Sequence, residues 1–290
     1  MKTALVTGAA GLLGRATVDA LADDGVEVHA VVRDPSQGFR DDVRFVSADL
    51  SQPLAESALP TRMDAVFHLA QAREFRDFPG AAPAVFAINV ASTAFLLDYA
   101  TRSGVTNFVY ASSGGVYRGA AGTELTEDSP LHEPADLGFY LATKLSSEAL
   151  VGSYGAQFST AALRYFFIYG PAQSRSMLIP RLYDRVRNGE ALGLQGPDGM
   201  RINPVHASDA AAATIAAAKL EGRVTVNVAG PETVSLRDIG ELFGSDSGLE
   251  PVFDHSDGAP ADLIASTERM GELLRPPSIT LREALPDIRD

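Results

Sequence analysis

Cysteine is absent from this 290-residue chain. Its absence excludes disulfide bonds, thiolate nucleophiles and zinc sites built from cysteine, and we expect no metal site. Long apolar runs are also missing: no segment approaches the roughly 18 apolar residues that a membrane span needs, so no membrane partner is expected. The opening residues, MKTALVTG, lack the longer apolar stretch and small-residue cleavage site of a signal peptide, and predict a cytoplasmic location.

Positive charge is scarce as well. The chain has 24 lysine and arginine residues against 37 aspartate and glutamate residues, and its formal net charge is -13. Because a broad nucleic-acid-binding surface needs clustered cations, we expect no nucleic-acid partner. A small anionic ligand needs only glycine amides and one or two arginines, and stays possible. Lysine occurs only at Lys2, Lys144 and Lys219 in an arginine-rich chain, so the choice of lysine at these positions carries information.

What the sequence does have is a regular alternation of strand-like and helix-like stretches. The strand-like runs are apolar and β-branched enough to be covered on both faces, and the helical patterns between them end at glycine. This alternation predicts an α/β fold: a Rossmann-type doubly wound parallel sheet with a small C-terminal substrate-binding lobe. The predicted strands read TALVT, EVHAVV, VRFVS, AVFHLA, NFVYAS, TAALRYF and VTVNVAG.

The first strand leads into a glycine-rich loop. In ALVTGAAGLLGRATVDAL, Gly8, Gly11 and Gly14 follow the strand and open a helix. Their G-x-x-G-x-x-G spacing differs from the standard dinucleotide fingerprint, but it provides the same tight turn, close backbone approach and helix N-terminus for a pyrophosphate. The loop therefore predicts dinucleotide binding.

The chain is long for one domain and short for two independent ones. We predict an NAD(P)-binding Rossmann domain over residues 1–170, onto which about 203–229 pack back, and a small substrate-binding lobe over residues 171–290. The second strand bears on the cofactor, because an arginine after it suits the 2′-phosphate of NADP and an acidic residue suits the ribose hydroxyls of NAD. Arg33 precedes Asp34 there, which favours NADP, with NAD as the alternative.

Tyr140 and Lys144 lie four residues apart on a predicted helix, in GFYLATKLSSEAL, so they share one helix face. A tyrosine is a poor acid or base at its usual pKa of about 10, but a neighbouring ammonium group favours the phenolate and lowers that pKa. The pair is therefore a candidate for proton transfer at neutral pH.

Taken together, these motifs resemble the extended short-chain dehydrogenases/reductases, the family of NAD-dependent epimerases and dehydratases. The matching pieces run in family order along nearly the whole chain: TGAAGLLG, ADL, HLA, NVAST, YASSGGVY, YLATK, LRYFFIYGP, NPVHASDAA and PPSITLREAL.

The resemblance implies a role for individual residues. Tyr140 would be the general acid/base, Lys144 would hold the nicotinamide ribose, and Ser113 would bond the reacting oxygen, whereas Ser112 would support the strand end. The full set expected at the cofactor, with Arg33 added from the second strand, is Gly8, Gly11, Leu12, Leu13, Gly14, Arg33, Asp49, Leu50, Leu69, Ala70, Tyr140, Lys144, Tyr165 and Phe166.

The chain departs from the family pattern at two glycines. Dehydratases of the family carry an Asp–Glu pair directly after the catalytic hydroxyl, where this chain has Gly114 and Gly115. Without side chains at these positions, elimination lacks its acid and base, and dehydratase activity is disfavoured.

Residues that would contact substrate are harder to assign. Phe167 stands where epimerases often have asparagine, and Ile202 stands where they have an arginine that contacts a diphosphate, with Arg201 one residue earlier. Gln71 and Arg73 follow the fourth strand, and a solvated loop is the alternative for them. The candidates for substrate binding are Gln71, Arg73, Phe167, Arg175 and Arg201. His68 and His206 are interpreted as structural.

We therefore expect an enzyme that uses hydride transfer at a hydroxyl or keto carbon of a sugar or sugar nucleotide. An NADPH-dependent ketone or aldehyde reductase of a smaller substrate is the alternative, and a non-catalytic nucleotide sensor is disfavoured by the intact Ser113, Tyr140 and Lys144. The expected partner is a sugar-like small molecule. The family resemblance also implies a homodimer through the two long helices of the first domain.

Overall fold

The computed structural model describes residues 1–34, 40–52, 58–119 and 122–289. In chain order, its elements are β1 (Thr3–Thr7), α1 (Leu12–Asp23), β2 (Glu27–Val32), β3 (Arg44–Ser47), β4 (Ala65–His68), α2 (Ala82–Phe86), α3 (Ser92–Arg102), β5 (Asn107–Ser113), β6 (Glu124–Leu125), α4 (Gly138–Ser153), β7 (Ser159–Tyr165), α5 (Leu178–Arg187), β8 (Leu192–Gln195), β9 (Arg201–Ile202), α6 (Ala207–Ala217), β10 (Arg223–Val228), β11 (Val234–Ser235), α7 (Leu236–Ser247), β12 (Phe253–Ser256), β13 (Ile264–Ala265), α8 (Glu268–Leu273) and α9 (Leu285–Arg289).

A seven-stranded parallel sheet forms the centre of the fold, in the order β3-β2-β1-β4-β5-β7-β10. Its strands coincide with the seven apolar runs of the sequence, so the predicted α/β class is confirmed. The chain winds outward from β1 through β2 and β3, then returns to build the other half from β4. The carboxyl ends of β1 and β4 therefore flank the point where the winding reverses, which is where such sheets bind ligands.

Alternate side chains of each strand enter different hydrophobic clusters. On β1, Ala4 and Val6 belong to the cluster under α1 and α6, whereas Leu5 belongs to the cluster with α3 residues such as Leu96 and Leu97. Burial on both faces explains why these strands read as continuous apolar runs and show no alternation with polar residues.

The C-terminal part of the chain builds a second core and also returns to the sheet. Ile179, Ile239 and Leu285 place α5, α7 and α9 in one cluster. β8 pairs with β12, and β9 pairs with β11, beside that cluster. Between these elements, β10 pairs with β7 as an outer strand of the central sheet, and α6 packs on α1.

The helical stretch over residues 82–102 contains a π turn at Ala87–Ala91, between α2 and α3. The sequence predicts one uninterrupted helix here, because a π turn leaves no separate mark in an apolar helical pattern. By length and composition alone this stretch could cross a membrane, but half of its most apolar window is buried within the fold. It is therefore accounted for as a core helix whose irregular turn lies near the cavity described below.

Candidate active site

A cavity of about 790 Å³ runs from the glycine loop to the C-terminal core. The structure places every residue expected at the cofactor in its lining, together with Ser113. Of the predicted substrate residues, it brings Gln71, Arg73 and Phe167 to the same cavity. These residues come from the carboxyl ends of β1, β2, β3, β4, β5 and β7 and from the starts of α1 and α4, so the sheet topology collects segments that are far apart in sequence.

The glycine loop leaves no room for side chains at two of its positions. Gly8 adopts the left-handed conformation with φ of 67°, and a Cβ there would lie 2.7 Å from the backbone of Leu69 and Ala70. A Cβ on Gly14 would lie 2.1 Å from the Gly8 carbonyl oxygen. The loop can therefore press closely on α1 and β4 and present backbone amides at the start of α1, an arrangement that fits the pyrophosphate of a dinucleotide.

Beyond the glycine loop, Arg33 and Asp49 line the same end of the cavity. The Asp49 carboxylate accepts hydrogen bonds from the backbone N–H and the hydroxyl of Ser51, at 2.9 and 2.8 Å. These bonds, together with the nearby charge of Arg33, hold the pKa of Asp49 below its usual value. Asp49 is therefore a fixed negative charge beside Arg33.

Ser113, Tyr140 and Lys144 meet where β5 ends and α4 begins. The Tyr140 hydroxyl donates to Oε1 of Gln71 at 2.7 Å, and Lys144 Nζ donates to the Ala111 carbonyl at 2.8 Å. Ser113 Oγ accepts from the Gly115 N–H at 3.2 Å and faces the cavity. A phenol, a buried ammonium and a hydroxyl thus line one wall, and this set of groups can transfer a proton.

Burial shifts the pKa of both helix residues away from the charged form. The pKa of Lys144 falls to about 8 because the ammonium is removed from water, although the charge of Glu148 opposes the shift. Removal from water raises the pKa of Tyr140, while a hydrogen bond with Ser113 and the charge of Arg76 lower it. The sequence predicts that Lys144 lowers the pKa of Tyr140; in the structure burial raises that pKa, and the groups that oppose burial are Ser113 and Arg76.

Asn89 connects the π turn to the wall that contains Tyr140. Its Oδ1 accepts from the Ala72 N–H at 3.2 Å, and its Nδ2 donates to Thr143 Oγ1 at 2.9 Å. Thr143 in turn donates to the Tyr140 carbonyl at 2.6 Å. Asn89 therefore ties the segment after β4 to the first turn of α4, which fixes the distance between Gln71 and Tyr140.

His68, at the end of β4, is fully enclosed. Its Nδ1 lies 2.7 Å from the hydroxyl of Thr7 and its Nε2 lies 2.9 Å from the hydroxyl of Thr93. Burial, with a smaller contribution from the charge of Lys144, lowers the pKa of His68 to about 3. The side chain is thus a neutral bridge between β1, β4 and α3, in agreement with its structural interpretation.

We expect this burial to make the protein less stable in mild acid. The unfolded chain takes up a proton at His68 below pH of about 6.5, whereas the folded chain does not until about pH 3, so stability falls as the pH falls through this window. Between pH 7 and pH 5, the contribution is about 2 kcal/mol. Urea unfolding of His68→Gln should lose that part of the pH dependence, whereas the exposed His255→Gln should keep it. Equal slopes in the wild type and His68→Gln would contradict the assignment.

The lobe side of the cavity is largely apolar. Leu178, Met200 and Leu263 line it together with Phe167, all of them packed on the C-terminal core. Phe167 has a left-handed backbone with φ of 46°, which is rare for a bulky side chain and marks a strained position in the cavity wall. Leu141 completes this wall from α4.

Two predicted substrate residues lie outside the cavity lining. Arg175 forms an ion pair with Asp184 and donates to the Ile288 carbonyl at 2.7 Å, so its charge is used to join the start of α5 to α9. Arg201 is exposed on β9, and its backbone N–H donates to Asp262 at 2.8 Å. Ile202, beside it, is fully buried in the C-terminal core.

His206 is buried at the start of α6. Its Nε2 lies 3.0 Å from an Asp287 carboxylate oxygen, and its Nδ1 accepts from the Ser208 N–H at 3.3 Å. It therefore caps α6 and contacts α9, consistent with a structural role.

Several lining residues are not predicted from the sequence, among them Phe75, Arg76 and Arg181. The Phe75 ring lies 4.8 Å from the Tyr140 ring, centre to centre, and Arg76 and Arg181 also line the cavity. Phe75 and Arg76 lie four and five positions after Gln71. The sequence predicts that the segment after β4 reaches the substrate, but it does not single out these two side chains. Arg181 sits in α5 among other arginines, and no local pattern distinguishes it from Arg175 or Arg185.

Comparison with known proteins identifies relatives over most of the chain. Residues 4–229 match the model of the NAD dependent epimerase/dehydratase family. The chain is 30% identical to dTDP-glucose 4,6-dehydratase of Streptomyces griseus, over 97% of this chain and 91% of that protein. It is 29% identical to UDP-glucose 4-epimerase of Corynebacterium glutamicum, over 91% and 87% of the two chains. The structure of MoeE5 in complex with UDP-glucose and NAD matches with a TM-score of 0.83 and 29% identity, over 99% of this chain and 97% of that one.

Proposed function

Because the chain belongs to the NAD dependent epimerase/dehydratase family, which consists of enzymes of the extended short-chain dehydrogenase/reductase type, we propose that it is an NAD-dependent epimerase or oxidoreductase of sugar nucleotides. The family and the enzyme class expected from the sequence motifs are confirmed. The proposed reaction is hydride transfer at a hydroxyl or keto carbon of the sugar, with Tyr140 as the acid/base.

The observation that carries the proposal is the shared cavity. Ser113, Tyr140 and Lys144 lie in the wall of the same cavity that the glycine loop closes at its other end. A dinucleotide held at the start of α1 and a sugar held on the lobe side would therefore both reach the hydroxyl of Tyr140.

Each residue of this wall has a task in the proposed reaction. NAD, when bound, supplies a hydride acceptor that can also return the hydride. Tyr140 exchanges one proton with the substrate oxygen: as phenolate it accepts the hydroxyl proton when the substrate is oxidised, and as phenol it returns that proton when the substrate is reduced. Gln71 holds the phenol form in place through its 2.7 Å hydrogen bond. Ser113 positions the reacting oxygen. The Lys144 ammonium, fixed on the Ala111 carbonyl, stabilises negative charge on the phenol.

The two glycines after Ser113 favour epimerisation or oxidation over elimination. A Cβ on Gly114 would lie 2.4 Å from the ring of Phe166, so this position has no space for an acidic side chain. Gly115 lines the cavity without a side chain of its own. An elimination would therefore lack an acid and a base at both positions.

For the cofactor, the surroundings of Arg33 support NAD. MoeE5, a solved neighbour at 29% identity, is bound to NAD, and this neighbour does not support the expected preference for NADP. In this chain, a 2′-phosphate beside Arg33 would also lie near the negative charge of Asp49, and the next residue along the chain is Asp34. Like charges in proximity oppose binding.

We therefore expect the protein to bind NAD⁺ about tenfold more tightly than NADP⁺. Isothermal titration with each dinucleotide measures the ratio. Arg33→Ala should leave the preference for NAD⁺ in place. Tighter binding of NADP⁺ that is lost in Arg33→Ala would instead show that Arg33 receives a 2′-phosphate.

The reaction is tested by incubating the protein with NAD⁺ and, separately, UDP-glucose, UDP-glucuronic acid and dTDP-glucose. An epimerase gives a product of unchanged mass and a new retention time, without net reduction of NAD⁺. A dehydrogenase gives net absorbance at 340 nm. A product lighter by one water would assign the enzyme to the dehydratases and contradict the inference from Gly114 and Gly115.

A ketone or aldehyde reductase is the second candidate, and the apolar lobe wall favours it. Phe167 and Ile202 occupy positions where the family resemblance often implies asparagine and arginine, and Arg201 lies outside the cavity lining. A smaller, less polar substrate would need neither of those side chains. Oxidation of NADH or NADPH by small ketones, with no conversion of sugar nucleotides, would select this alternative.

A further inference from the structure

Helix α4 contacts the end of β5 through three residues spaced four apart, of which only two have a task so far. Lys144 Nζ donates to the Ala111 carbonyl at 2.8 Å, and the phenol of Tyr140 interacts with Ser113. The third residue, Glu148, accepts a hydrogen bond from the Ser112 hydroxyl. Ala111, Ser112 and Ser113 are consecutive residues of β5, and each contacts a different turn of α4.

The Glu148 carboxylate is buried and fully bonded. Its side chain is 11% exposed, and that of its partner Arg164 is 8% exposed. Arg164 Nη2 donates to Oε2 at 2.7 Å and Nε donates to Oε1 at 3.0 Å, a two-pronged contact. Arg164 lies on β7 directly beside Ser112 in the sheet register. A two-pronged contact between an arginine and a carboxylate is the strong form of this ion pair, and it fixes the position of the Glu148 side chain.

Lys144 has few charged neighbours, and Glu148 is the negative one. On α4, Lys144 has Tyr140 one turn before it, with Nζ 5.9 Å from the centre of the Tyr140 ring. Glu148 lies one turn after Lys144 on the same helix. From β5 the Tyr110 ring approaches Nζ to 5.3 Å, and from β4 the neutral His68 lies within range of its charge. From β7, the guanidinium of Arg164 offsets part of the Glu148 charge. Among the described residues, Glu148 is the acid whose charge favours the ammonium form of Lys144.

We infer that Glu148 is a positioning residue for the proposed reaction: it fixes the end of β5 that carries Ser113 against α4, and it keeps the buried Lys144 in its ammonium form. This inference rests on the proposed function, because the state of Lys144 matters only if Tyr140 and Lys144 take part in the reaction. The inference gives a role to the Glu148 carboxylate, which takes no direct part in the proposed reaction.

A matched control lies in the same polar network. Arg164 Nη1 also donates to the Tyr117 hydroxyl at 2.7 Å, which donates to Asn227 Oδ1 at 2.7 Å. The backbone N–H of Asn227 donates to Glu127 at 2.8 Å, and the Glu127 side chain is 4% exposed beside Arg269. Glu127→Gln therefore removes a second buried carboxylate from the network without changing the charge next to Lys144.

The test measures Lys144 directly. Since the chain has only three lysines, protein labelled with ¹³C-lysine gives three side-chain signals, and Lys2→Arg and Lys219→Arg identify the other two. In the wild type, Lys144 should titrate with a pKa of about 8. In Glu148→Gln, that pKa should fall by about one unit, and the upper pH limit of turnover should fall with it. Glu127→Gln should leave both unchanged.

Turnover makes the same distinction. At pH 8.5, Glu148→Gln should lose about five- to tenfold in rate relative to wild type, whereas at pH 6 the loss should be small, because Lys144 is then protonated in both proteins. Glu148→Asp keeps the charge and should restore most of the wild-type pH profile. It also carries the test if Glu148→Gln does not fold.

Two results would overturn the inference. An unchanged Lys144 titration in Glu148→Gln would show that Glu148 does not hold the charge of Lys144, and a wild-type rate at every pH in that variant would show that the Glu148–Arg164 pair serves stability alone. Failure of the proposed function would give a different result. The wild-type protein would then convert no sugar nucleotide, while the pKa of Lys144 would still be lower in Glu148→Gln. The proposed reaction would be wrong, but the electrostatic effect of Glu148 on Lys144 would stand.

Discussion

Tyr140→Phe is expected to lower the turnover of the proposed sugar-nucleotide reaction by about 10²- to 10⁴-fold, while NAD⁺ binding stays within a few fold of wild type. The substitution removes the hydroxyl that exchanges a proton with the substrate but keeps the aromatic ring. That ring packs against Phe75, with 4.8 Å between ring centres, so the wall of the cavity stays in place. The hydroxyl's hydrogen bonds to Gln71 and Ser113 are lost with it.

Tyr154→Phe is the matched control for this experiment. Tyr154 follows the last turn of α4, and its ring stacks on Phe158 outside the cavity lining. The same chemical change there should leave both turnover and NAD⁺ binding unchanged. Rates measured by product chromatography and affinities measured by calorimetry separate chemistry from binding. A Tyr140→Phe protein that retains more than about a tenth of wild-type turnover would assign the proton transfer to another group.

The sequence predicts the sheet and the cofactor end of the cavity well because both depend on local chemistry. A strand buried on both faces must be apolar along its whole length, so β1 and β2 can be read from TALVT and EVHAVV without knowledge of their neighbours. The glycine loop is similarly local, since the close contact of Gly14 with Gly8 involves residues six apart. The fourteen residues expected at the cofactor, most of them implied by the family resemblance, lie in such segments and line one cavity.

The lobe side depends on contacts that no local pattern contains. Arg175 and Arg181 lie in one short segment and look equivalent in sequence. The fold pairs Arg175 with Asp184 and with the chain end at Ile288, and leaves Arg181 in the cavity wall. The task of Arg164 is hidden for the same reason, because its partner Glu148 lies on another element. Ion pairs between distant segments become visible only in the folded chain.

The glycine loop supports the second large prediction, which concerns Gly14→Ala. Alanine normally stabilises a helix interior relative to glycine by about 1 kcal/mol. At Gly14, however, the new Cβ would lie 2.1 Å from the Gly8 carbonyl oxygen and 2.8 Å from the Ala9 Cα, and both atoms belong to the backbone. Gly8 cannot simply move aside, because it already lies against the backbone of Leu69 and Ala70. The loop must open, which should cost about 1–3 kcal/mol of folding free energy and lower NAD⁺ affinity on the order of 100-fold.

Gly271→Ala separates the clash from the general effect of a methyl group in a helix. Gly271 lies within α8, and a Cβ there would have no neighbouring atom within 4 Å. This variant should be slightly more stable than wild type and bind NAD⁺ equally well. The same substitution is thus expected to act with opposite sign in two helices, as measured by urea unfolding and calorimetry. If Gly14→Ala retained wild-type affinity, the amides at the start of α1 would not form the pyrophosphate site, since their position depends on the contact between Gly8 and Gly14.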